Sequence, residues 1–316
     1  MLARADVEVV VPATSANLGA GYDSFGMALD VHDTVRATVH PDAVDPAHCV
    51  SVFGEGEEVL PTSREHLVHR VATEILDSRG LGELADRMSL ACHNVVPHSR
   101  GMGSSAAAVV AGISVAEALA RESGARAEDG AARLARAVAR EGHPDNAAPA
   151  LFGGVTISYP CGAPGTFRSV SLEAHPDIRV ALVVPAEKLD TAVARGVLPA
   201  TVPHAEAAAN SAVAGLFVHA VTTEPELLLD ATVDRLHQKF RRPAMPAALD
   251  RVDALRAAGL AAVVSGAGPT VAVLGTGDDL GDRVRAVIGE DGHRIVPTLV
   301  AETGATTTVT EVVAAA

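Results

Sequence analysis

The segment from Val95 to Ala107, VVPHSRGMGSSAA, combines residue types that suit the binding of an anion. Gly101 and Gly103 lack a Cβ atom, so the backbone there can approach a ligand closely and adopt positive φ angles. Ser104 and Ser105 add hydroxyl groups at the start of an alanine-rich run with helical character. The first N–H groups of a helix have no partner within it and carry the positive end of its dipole. The segment therefore predicts a phosphate-binding loop.

This loop contains no lysine, the residue that the Walker loop places on the β- and γ-phosphates. A helix N-terminus contributes only about 0.3–1 kcal/mol at exposed sites and up to ~2 kcal/mol when partly buried. That cannot balance a triphosphate, so we expect Mg²⁺ with a carboxylate ligand from another segment. Arg100 either assists or faces solvent. Because glycine-rich turns before helices are common, the motif alone is weak.

Two further segments are rich in glycine. The segment PATSANLGAGYDSFGMALD places Thr14, Ser15, Asn17 and Asp23 after a strand, and alone it fits a polar turn as well as a ligand site. The segment VVSGAGPTVAVL, from Val263, is typical of a strand, a glycine turn and a second strand, which by itself is most often a tight hairpin.

The elements that must position these segments alternate between strands and helices. Strands are predicted at VEVVVPA, GGVTISYP, IRVALVVP, AAVVSGAGPTVAVL and HRIVPTLV. Helices are predicted at TSREHLVHRVATEILDSRG with Ser63 as its cap, at the run from Ser104 with Ser104 or Ser105 as its cap, and at EDGAARLARAVAREG, AEAAANSAVAGLFVHAV, PAALDRVDALRAAG and DRVRAVIG. The class is therefore α+β, with two domains, 1–160 and 161–316, divided at the Gly/Pro stretch CGAPGTF.

Composition excludes several classes of function. The net charge of −14 argues against nucleic acid, since phosphate backbones require clustered Lys and Arg, and FRRP is the only short basic cluster. The three cysteines form no CxxC pair, so neither a zinc site nor a disulfide framework is indicated. The N-terminus lacks the apolar core of a signal peptide, and the most apolar run is too short to span a bilayer. We therefore expect a cytoplasmic protein that does not bind a membrane.

In this order and at this spacing, the three glycine-rich segments resemble those of the GHMP kinases, the family of galactokinase, homoserine kinase, mevalonate kinase and phosphomevalonate kinase. PHSRGMGSSAA resembles the central motif of the family, with Met102 in place of leucine, and SGAGPTV resembles its C-terminal glycine motif. The resemblance covers almost the whole chain. It implies an α+β fold with a ribosomal S5 domain 2-like N-terminal domain and a ferredoxin-like C-terminal domain, and it implies ATP and Mg²⁺. The implied ATP-binding residues are Pro97, Arg100, Gly101, Met102, Gly103, Ser104, Ser105 and Ala106.

Four segments are similar to the homoserine kinase branch of this family: SANLGAGYDSFGMALD, EGHPDNAAPALFGG, LDTAVARGVLP and DRLHQKFRRP. This branch implies phosphorylation of L-homoserine to O-phospho-L-homoserine in threonine biosynthesis. The implied substrate-binding residues are Asn17, Asp23, His143, Asp145, Thr191, Arg195 and Arg241.

The residue types suit these implied roles. Homoserine is a zwitterion whose carboxylate suits the guanidinium groups of Arg195 and Arg241. Its ammonium group suits Asp23 and the amide oxygen of Asn17. Two plainer alternatives stay open, because a lone arginine is often a solvated surface charge and His143 could be bonded to the backbone at a helix end.

Glu141 is the predicted Mg²⁺ carboxylate, with Ser104 as the hydroxyl ligand. Some family members place the acidic ligand about two helical turns before the histidine, where this chain has Ala135. Glu141 would otherwise be a solvated helix terminus. His66 stands where an asparagine is frequent near the adenine, and Val213 stands where the branch usually has an arginine.

The predicted catalytic residues are His143, Asp145, Asn146 and Asp23. Asn146 cannot accept a proton as a base, so we expect catalysis by positioning and electrostatic stabilisation, with Asp23 as the one alternative base. Two other functions stay open: a kinase for a different small amino-alcohol, and a catalytically weak ligand-sensing homologue. A homodimer is the default assembly.

Overall fold

The computed structural model describes residues 2–314. Its strands are β1 (Leu2–Ala16), β2 (Phe25–Val39), β3 (Val50–Gly54), β4 (Met88–Asn94), β5 (Val155–Pro160), β6 (Phe167–Leu172), β7 (Ile178–Pro185), β8 (Ala261–Val264), β9 (Val271–Thr276), β10 (His293–Thr298) and β11 (Thr306–Ala314). Its helices are α1 (Leu67–Ser78), α2 (Gly82–Asp86), α3 (Ser104–Glu122), α4 (Gly130–Glu141), α5 (Ala147–Phe152), α6 (Thr191–Gly196), α7 (His204–Thr222), α8 (Leu228–Ala231), α9 (Pro246–Ala257) and α10 (Leu280–Ile288).

The strands form two sheets, which confirms the predicted α+β class. In the first sheet the order is β11-β1-β2-β4-β3, with β5 paired to β2 and β6 paired to β5. The second sheet has the order β10-β7-β9-β8 and is antiparallel throughout. Both β6 and β11 follow residue 160 but pair within the first sheet. The predicted division at residue 161 is therefore not the division between the sheets.

The first polar segment begins in the last residues of strand β1, which lies between β11 and β2 in the first sheet. It pairs with β2 along nearly its full length, and the register shifts between Pro12 and Ala13. Proline has no N–H to donate to a ladder, so an irregularity at this point is expected. Beyond the shift, residues 13–16 are buried and lead directly into the loop before β2.

Two predicted helix caps are wrong. Helix α1 begins at Leu67 with His66 as its N-cap, and the Ser63 hydroxyl instead accepts a bond from the Glu65 N–H (3.3 Å) in the turn before the helix. Helix α3 begins at Ser104, and its N-cap is Gly103 with φ of 70°, so neither Ser104 nor Ser105 is the cap. A residue with positive φ at this position orients the first turn of α3 differently from an extended serine cap.

Helix α3 lies at the centre of the hydrophobic core formed by the first sheet and the helices packed on it. It packs on α1 and β1, and a Cβ atom at Gly112 would lie 2.7 Å from the Val68 carbonyl oxygen, so glycine permits the close approach of α1. The expectation that this run is too short to span a bilayer is wrong, because the helix of 19 residues is long and apolar enough, but 72% of its most apolar window is buried inside the protein. A core helix has the same composition, and the burial of Ile113, Ala116 and Leu119 shows that α3 is one.

Candidate active site

The three glycine-rich segments are bonded to one another. The Ser265 hydroxyl lies 2.9 Å from the Ser15 hydroxyl and 2.6 Å from the Gly101 carbonyl oxygen. The Gly266 N–H donates to the Ala16 carbonyl (3.0 Å). Segments that lie about 250 and 164 positions apart in the chain thus form one unit. Glycine and serine suit this junction because three backbones must approach closely.

These segments enclose a cavity of about 340 Å³. Most predicted site residues line it: Asn17, Gly101, Gly103, Ser104, Ser105, Ala106, Glu141, His143, Asp145, Asn146, Thr191, Arg195 and Arg241. Four lining residues were not predicted: Ser99, Arg140, Gly266 and Ala267. The turn that holds the last two was identified as a glycine motif, but its contact with the cavity required the tertiary structure.

Three residues of the predicted ATP-binding set do not line this cavity. Pro97 is buried, and Met102, 2% exposed, packs in the core between the two sheets. Arg100 donates to the backbone carbonyls of Pro185 (3.0 Å), His98 (3.1 Å) and Ala186 (2.9 Å). These bonds connect the loop to the end of β7, and they direct the guanidinium toward backbone carbonyl oxygens.

The two glycines of the phosphate loop are required by conformation and by space. Gly101 has φ of 76° and Gly103 has φ of 70°, the left-handed region that side chains rarely adopt. A Cβ atom at Gly103 would lie 1.9 Å from the Thr14 hydroxyl, and one at Gly101 would lie 2.2 Å from the Ser265 carbonyl oxygen. Both contacts are far below van der Waals distance, so the loop can follow this path only with glycine.

Glu141, the predicted Mg²⁺ carboxylate, lies beside the phosphate loop and is bonded to Ser105. The Ser105 hydroxyl donates to a Glu141 carboxylate oxygen at 2.7 Å. Helix α4 ends at Glu141 because Gly142 turns the chain away with φ of 81°. Within residues 2–314, no group of three or more His, Cys, Asp or Glu side chains could hold a metal ion by itself. The protein contributes one carboxylate and neighbouring hydroxyls at this point.

Arg195 lines the other end of the cavity and is bonded to the predicted site residue Asp23, which does not itself line the cavity. Two bonds join the guanidinium to the carboxylate, at 2.6 Å and 3.1 Å, and the guanidinium also donates to the Tyr22 hydroxyl at 3.0 Å. Both side chains are about one third exposed, at 33% and 35%. The hydrogen bond to Asp23 raises the pKa of Arg195. The two groups predicted to bind opposite charges of the substrate thus satisfy one another.

Arg241 and Asn17 converge on one carbonyl. The Arg241 guanidinium, 1% exposed, donates to the Gly266 carbonyl oxygen (2.7 Å), and the Asn17 amide donates to the same oxygen (2.8 Å). The Asn17 amide oxygen accepts from the Asp23 N–H (2.9 Å). Burial lowers the pKa of Arg241, and within the described chain its Nε has no hydrogen-bond partner. A buried cation with an unused donor favours an anionic ligand.

His143, Asp145 and Asn146 form a short chain of hydrogen bonds. His143 Nδ1 lies 2.6 Å from an oxygen of Asp145, which is 1% exposed and also accepts from the Asn146 N–H (3.0 Å). The bond to Asp145 raises the pKa of His143. The Asn146 amide oxygen accepts from the Thr14 hydroxyl (2.8 Å), and this bond orients the amide whose N–H groups can donate to a ligand.

A second cavity of about 290 Å³ adjoins the first at Ser99, Ser104 and Ser105. Its walls include apolar side chains from the segment before α1, from α1 and from α3: Leu60, Pro61, Leu67, Val68, Ala107, Ala108 and Ala111. His66 also lines it, 4% exposed, and its Nδ1 lacks a hydrogen-bond partner among the described residues. Burial lowers the pKa of His66 to about 4, so the ring is neutral near pH 7.

Sequence reasoning missed Tyr22, which lies between the charged groups of the first cavity. Its ring centroid is 5.7 Å from the Arg195 guanidinium, 5.9 Å from the Arg241 guanidinium and 5.2 Å from the His237 ring. A cation near an aromatic face is stabilised by the negative charge of that face. Tyr22 and Asp23 are adjacent in the chain, and this was the one available signal.

Comparison with known proteins agrees with this geometry. Residues 66–154 match the family model described as GHMP kinases N terminal domain, and residues 223–294 match GHMP kinases C terminal. A homoserine kinase of Streptomyces coelicolor is 45% identical over 91% of this chain and 90% of its own length, and one of Streptomyces avermitilis is 44% identical over 90% of each. The crystal structure of homoserine kinase from Cytophaga hutchinsonii has the same fold, with a TM-score of 0.80, 23% identity and coverage of 96% and 97%. This chain belongs to the GHMP kinase family.

Proposed function

We propose that this protein transfers the terminal phosphoryl group of ATP to the hydroxyl of L-homoserine, giving O-phospho-L-homoserine for threonine biosynthesis. The observation that carries the proposal is that one cavity joins the phosphate loop to three arginines, Asp145 and His143, and that Asp23 is paired with one of those arginines. An amino acid with a reactive hydroxyl needs partners for both of its charges beside the phosphate donor. The 45% identity to a homoserine kinase supports the choice of acceptor.

The nucleotide occupies both adjoining cavities, with its base in one and its phosphates at the boundary with the other. The apolar cavity lined by Leu60, Leu67 and His66 suits a nucleobase, and the loop at Gly101–Ser105 suits the phosphates. The boundary shared by the two cavities lies at the N-terminus of α3, whose free N–H groups favour anions. ATP therefore extends from the His66 cavity, past the loop, toward the cavity that holds Arg195.

The residues beside the loop fit Mg²⁺. Mg²⁺ is usually held by one or two carboxylates together with substrate phosphates and water, and Glu141 with the Ser104 and Ser105 hydroxyls matches that pattern. When bound, the ion neutralises charge on the phosphates. Glu141 is held at the loop by Ser105, so its carboxylate is in place before the nucleotide arrives.

The acceptor binds by exchanging charges with the protein. The homoserine ammonium takes the place of Arg195 beside Asp23, while the carboxylate takes the place of Asp23 beside Arg195. Arg241, with its unused Nε, provides a second cation for the carboxylate. Because the ligand carries both charges, the exchange leaves neither Asp23 nor Arg195 unpaired, which avoids the cost of a buried single charge.

Catalysis depends on position more than on a strong base. Asn146 cannot accept a proton as a base, and Asp23 is bonded to Arg195 before the exchange and to the ammonium group of the acceptor after it. One oxygen of Asp145 accepts bonds from both His143 and the Asn146 N–H. We therefore infer that the hydroxyl loses its proton late, to the phosphoryl oxygens. A pH–rate profile of Asp23→Asn tests this, because a base role requires loss of the acidic limb and of most turnover.

We further propose that the enzyme is cytoplasmic and a homodimer, the commonest assembly among soluble oligomers. Val213, in place of the arginine usual in the homoserine kinase branch, favours one alternative, a slightly larger or less polar amino-alcohol as acceptor.

The test is a panel of homoserine, serine, threonine, mevalonate and shikimate, assayed for ADP release with ATP and Mg²⁺. Homoserine should lead by at least about tenfold in kcat/KM, or about 1.4 kcal/mol. Mevalonate in first place would overturn the acceptor and leave the family assignment standing. Saturable ATP binding without turnover on any acceptor would favour the ligand-sensing homologue.

A further inference from the structure

The phosphate loop has no lysine, and most nearby cations are already engaged. Arg100 is bonded to three backbone carbonyls. Arg195 is paired with Asp23, and Arg241 is buried against the Gly266 carbonyl. Arg140 also lines the cavity and is the cation next in sequence to Glu141. Arg140 is therefore the candidate source of positive charge at the transferring phosphate.

Arg140 lies in the last turn of α4, where helix geometry places it near the phosphate loop. It lines the main cavity together with Ser105 and Glu141. It also lines a cavity of about 550 Å³ on the other side of Ser105, between α1, α3 and α4. It is absent from the residues that line the apolar cavity of His66. Among the phosphates of a nucleotide extending between those cavities, the terminal one is nearest to Arg140.

The present partner of Arg140 is weakly held. Its Nη2 forms an ion pair with Glu74 of α1, and its Nη1 donates to the Arg136 carbonyl oxygen at 3.1 Å. The Glu74 side chain is 52% exposed, whereas that of Arg140 is 23% exposed. An ion pair with a half-exposed carboxylate contributes little to stability because water competes for both groups. A phosphate that accepts two parallel bonds from a guanidinium is a stronger partner.

We propose that Arg140 binds the terminal phosphate of ATP and that Glu74 competes with the phosphate for its guanidinium until the nucleotide enters. The exchange from Glu74 to phosphate supplies the cation that the lysine-free loop lacks. Arg140 then stabilises charge on the transferring group as the bond to the leaving oxygen lengthens. This inference rests on the proposed function only in taking ATP as the donor, and it is independent of the acceptor.

Arg140→Met tests the proposal, because it keeps the apolar stem and removes the charge. We expect kcat to fall about 10²-fold, the usual effect of removing one group that stabilises developing charge. Calorimetric titration should show weaker binding of ATP and unchanged binding of ADP, since only ATP has the terminal phosphate. The matched control is Arg70→Met, which removes the same charge from an exposed residue of the same 550 Å³ cavity that does not line the main one. Equal losses for Arg70→Met and Arg140→Met would overturn the proposal.

Glu74→Gln provides a second test with the opposite sign. Release of Arg140 should strengthen ATP binding and leave ADP binding unchanged. If Glu74→Gln instead weakens ATP binding as Arg140→Met does, the ion pair is a structural clamp and the proposal fails. Thermal unfolding of each variant is the check that the fold is retained. Wild-type protein that binds no ATP would refute the proposed function, whereas ATP binding that is equal in wild type and Arg140→Met would refute this inference alone.

Discussion

The two ends of the cavity hold charge in opposite ways. At the acceptor end, side chains are already paired with one another, as Arg195 is with Asp23 and His143 is with Asp145. At the phosphate end, the loop presents backbone N–H groups at the start of α3, with Glu141 beside it. A zwitterionic acceptor must displace an existing ion pair, whereas a phosphate meets donors that have no partner. Selectivity for the acceptor therefore comes from replacing internal contacts, and nucleotide binding comes from a preformed backbone shape.

The largest effect is expected from a substitution that changes the backbone conformation of the phosphate loop. Gly103→Val should abolish ATP binding, because the new Cβ would lie 1.9 Å from the Thr14 hydroxyl in a left-handed residue. The backbone strain should also lower the free energy of unfolding by about 1–3 kcal/mol. Calorimetric ATP titration and urea unfolding measure the two effects.

The control is Gly124→Val, at the other end of α3. Gly124 also has a left-handed φ, of 85°, but a Cβ there meets nothing within 4 Å. This variant should lose stability and keep ATP affinity. Unchanged ATP affinity in Gly103→Val would remove the loop from the nucleotide site.

The next effect concerns the one carboxylate at the loop. Glu141→Gln should lower kcat about 10²-fold and change ATP affinity much less, because its charge matters most as charge builds on the transferring group. Steady-state kinetics across a Mg²⁺ titration measure it. Glu122→Gln, at the far end of α3, is the charge-matched control. Wild-type turnover of Glu141→Gln at saturating Mg²⁺ would place the metal carboxylate elsewhere.

A smaller effect tests the ion pair at the acceptor end. Arg195→Ala should weaken kcat/KM for homoserine by about 2 kcal/mol, at the low end for unpaired charges because both side chains are partly exposed. ATP affinity should barely change. Asp23→Asn should have a similar effect, and the double variant should lose less than the sum, since each change disrupts the same pair. Additive losses would show that the two residues act separately; Arg179→Ala, from the exposed pair with Asp278, is the control.

Two histidines at opposite ends of the site should change stability with pH in opposite senses. Burial lowers the pKa of His66 to about 4, so the native state resists protonation that the unfolded state accepts near pH 6.5. Its contribution to stability is present above pH 6.5 and is lost as pH falls toward 4, up to about 3 kcal/mol. Urea unfolding of wild type and His66→Asn between pH 7.5 and about 4.5 should differ in slope accordingly.

His143 should behave in the reverse sense. Asp145 raises the pKa of His143, so its contribution is present below about pH 6.5 and is lost as pH rises through its raised native value. His143→Asn should therefore remove stability at low pH and little at high pH. Parallel pH dependences for His66→Asn and His143→Asn would contradict the difference between the two ends.

Sequence alone predicted the parts of the site whose chemistry is local. Gly101 and Gly103 indicate a close backbone approach, and the apolar run that follows indicates a helix whose N-terminus favours anions. The α+β class also follows from local periodicity. The predicted serine cap of α3 was wrong because the capping position has a left-handed backbone conformation. Only Gly103, which has no Cβ atom, fits there beside Thr14.

What the sequence by itself determined is the inventory: a lysine-free loop, a carboxylate two residues before His143, and arginines suited to a zwitterion. Only the tertiary structure decided which of these groups meet. In the folded chain, β11 pairs with β1 in the first sheet, and Arg100 donates to backbone carbonyls. Asp23 is bonded to Arg195, which lies 172 positions away in the sequence. The physical reason is that a glycine or a helix end acts through its own backbone, whereas an ion pair exists only when folding brings two distant side chains within a few ångströms.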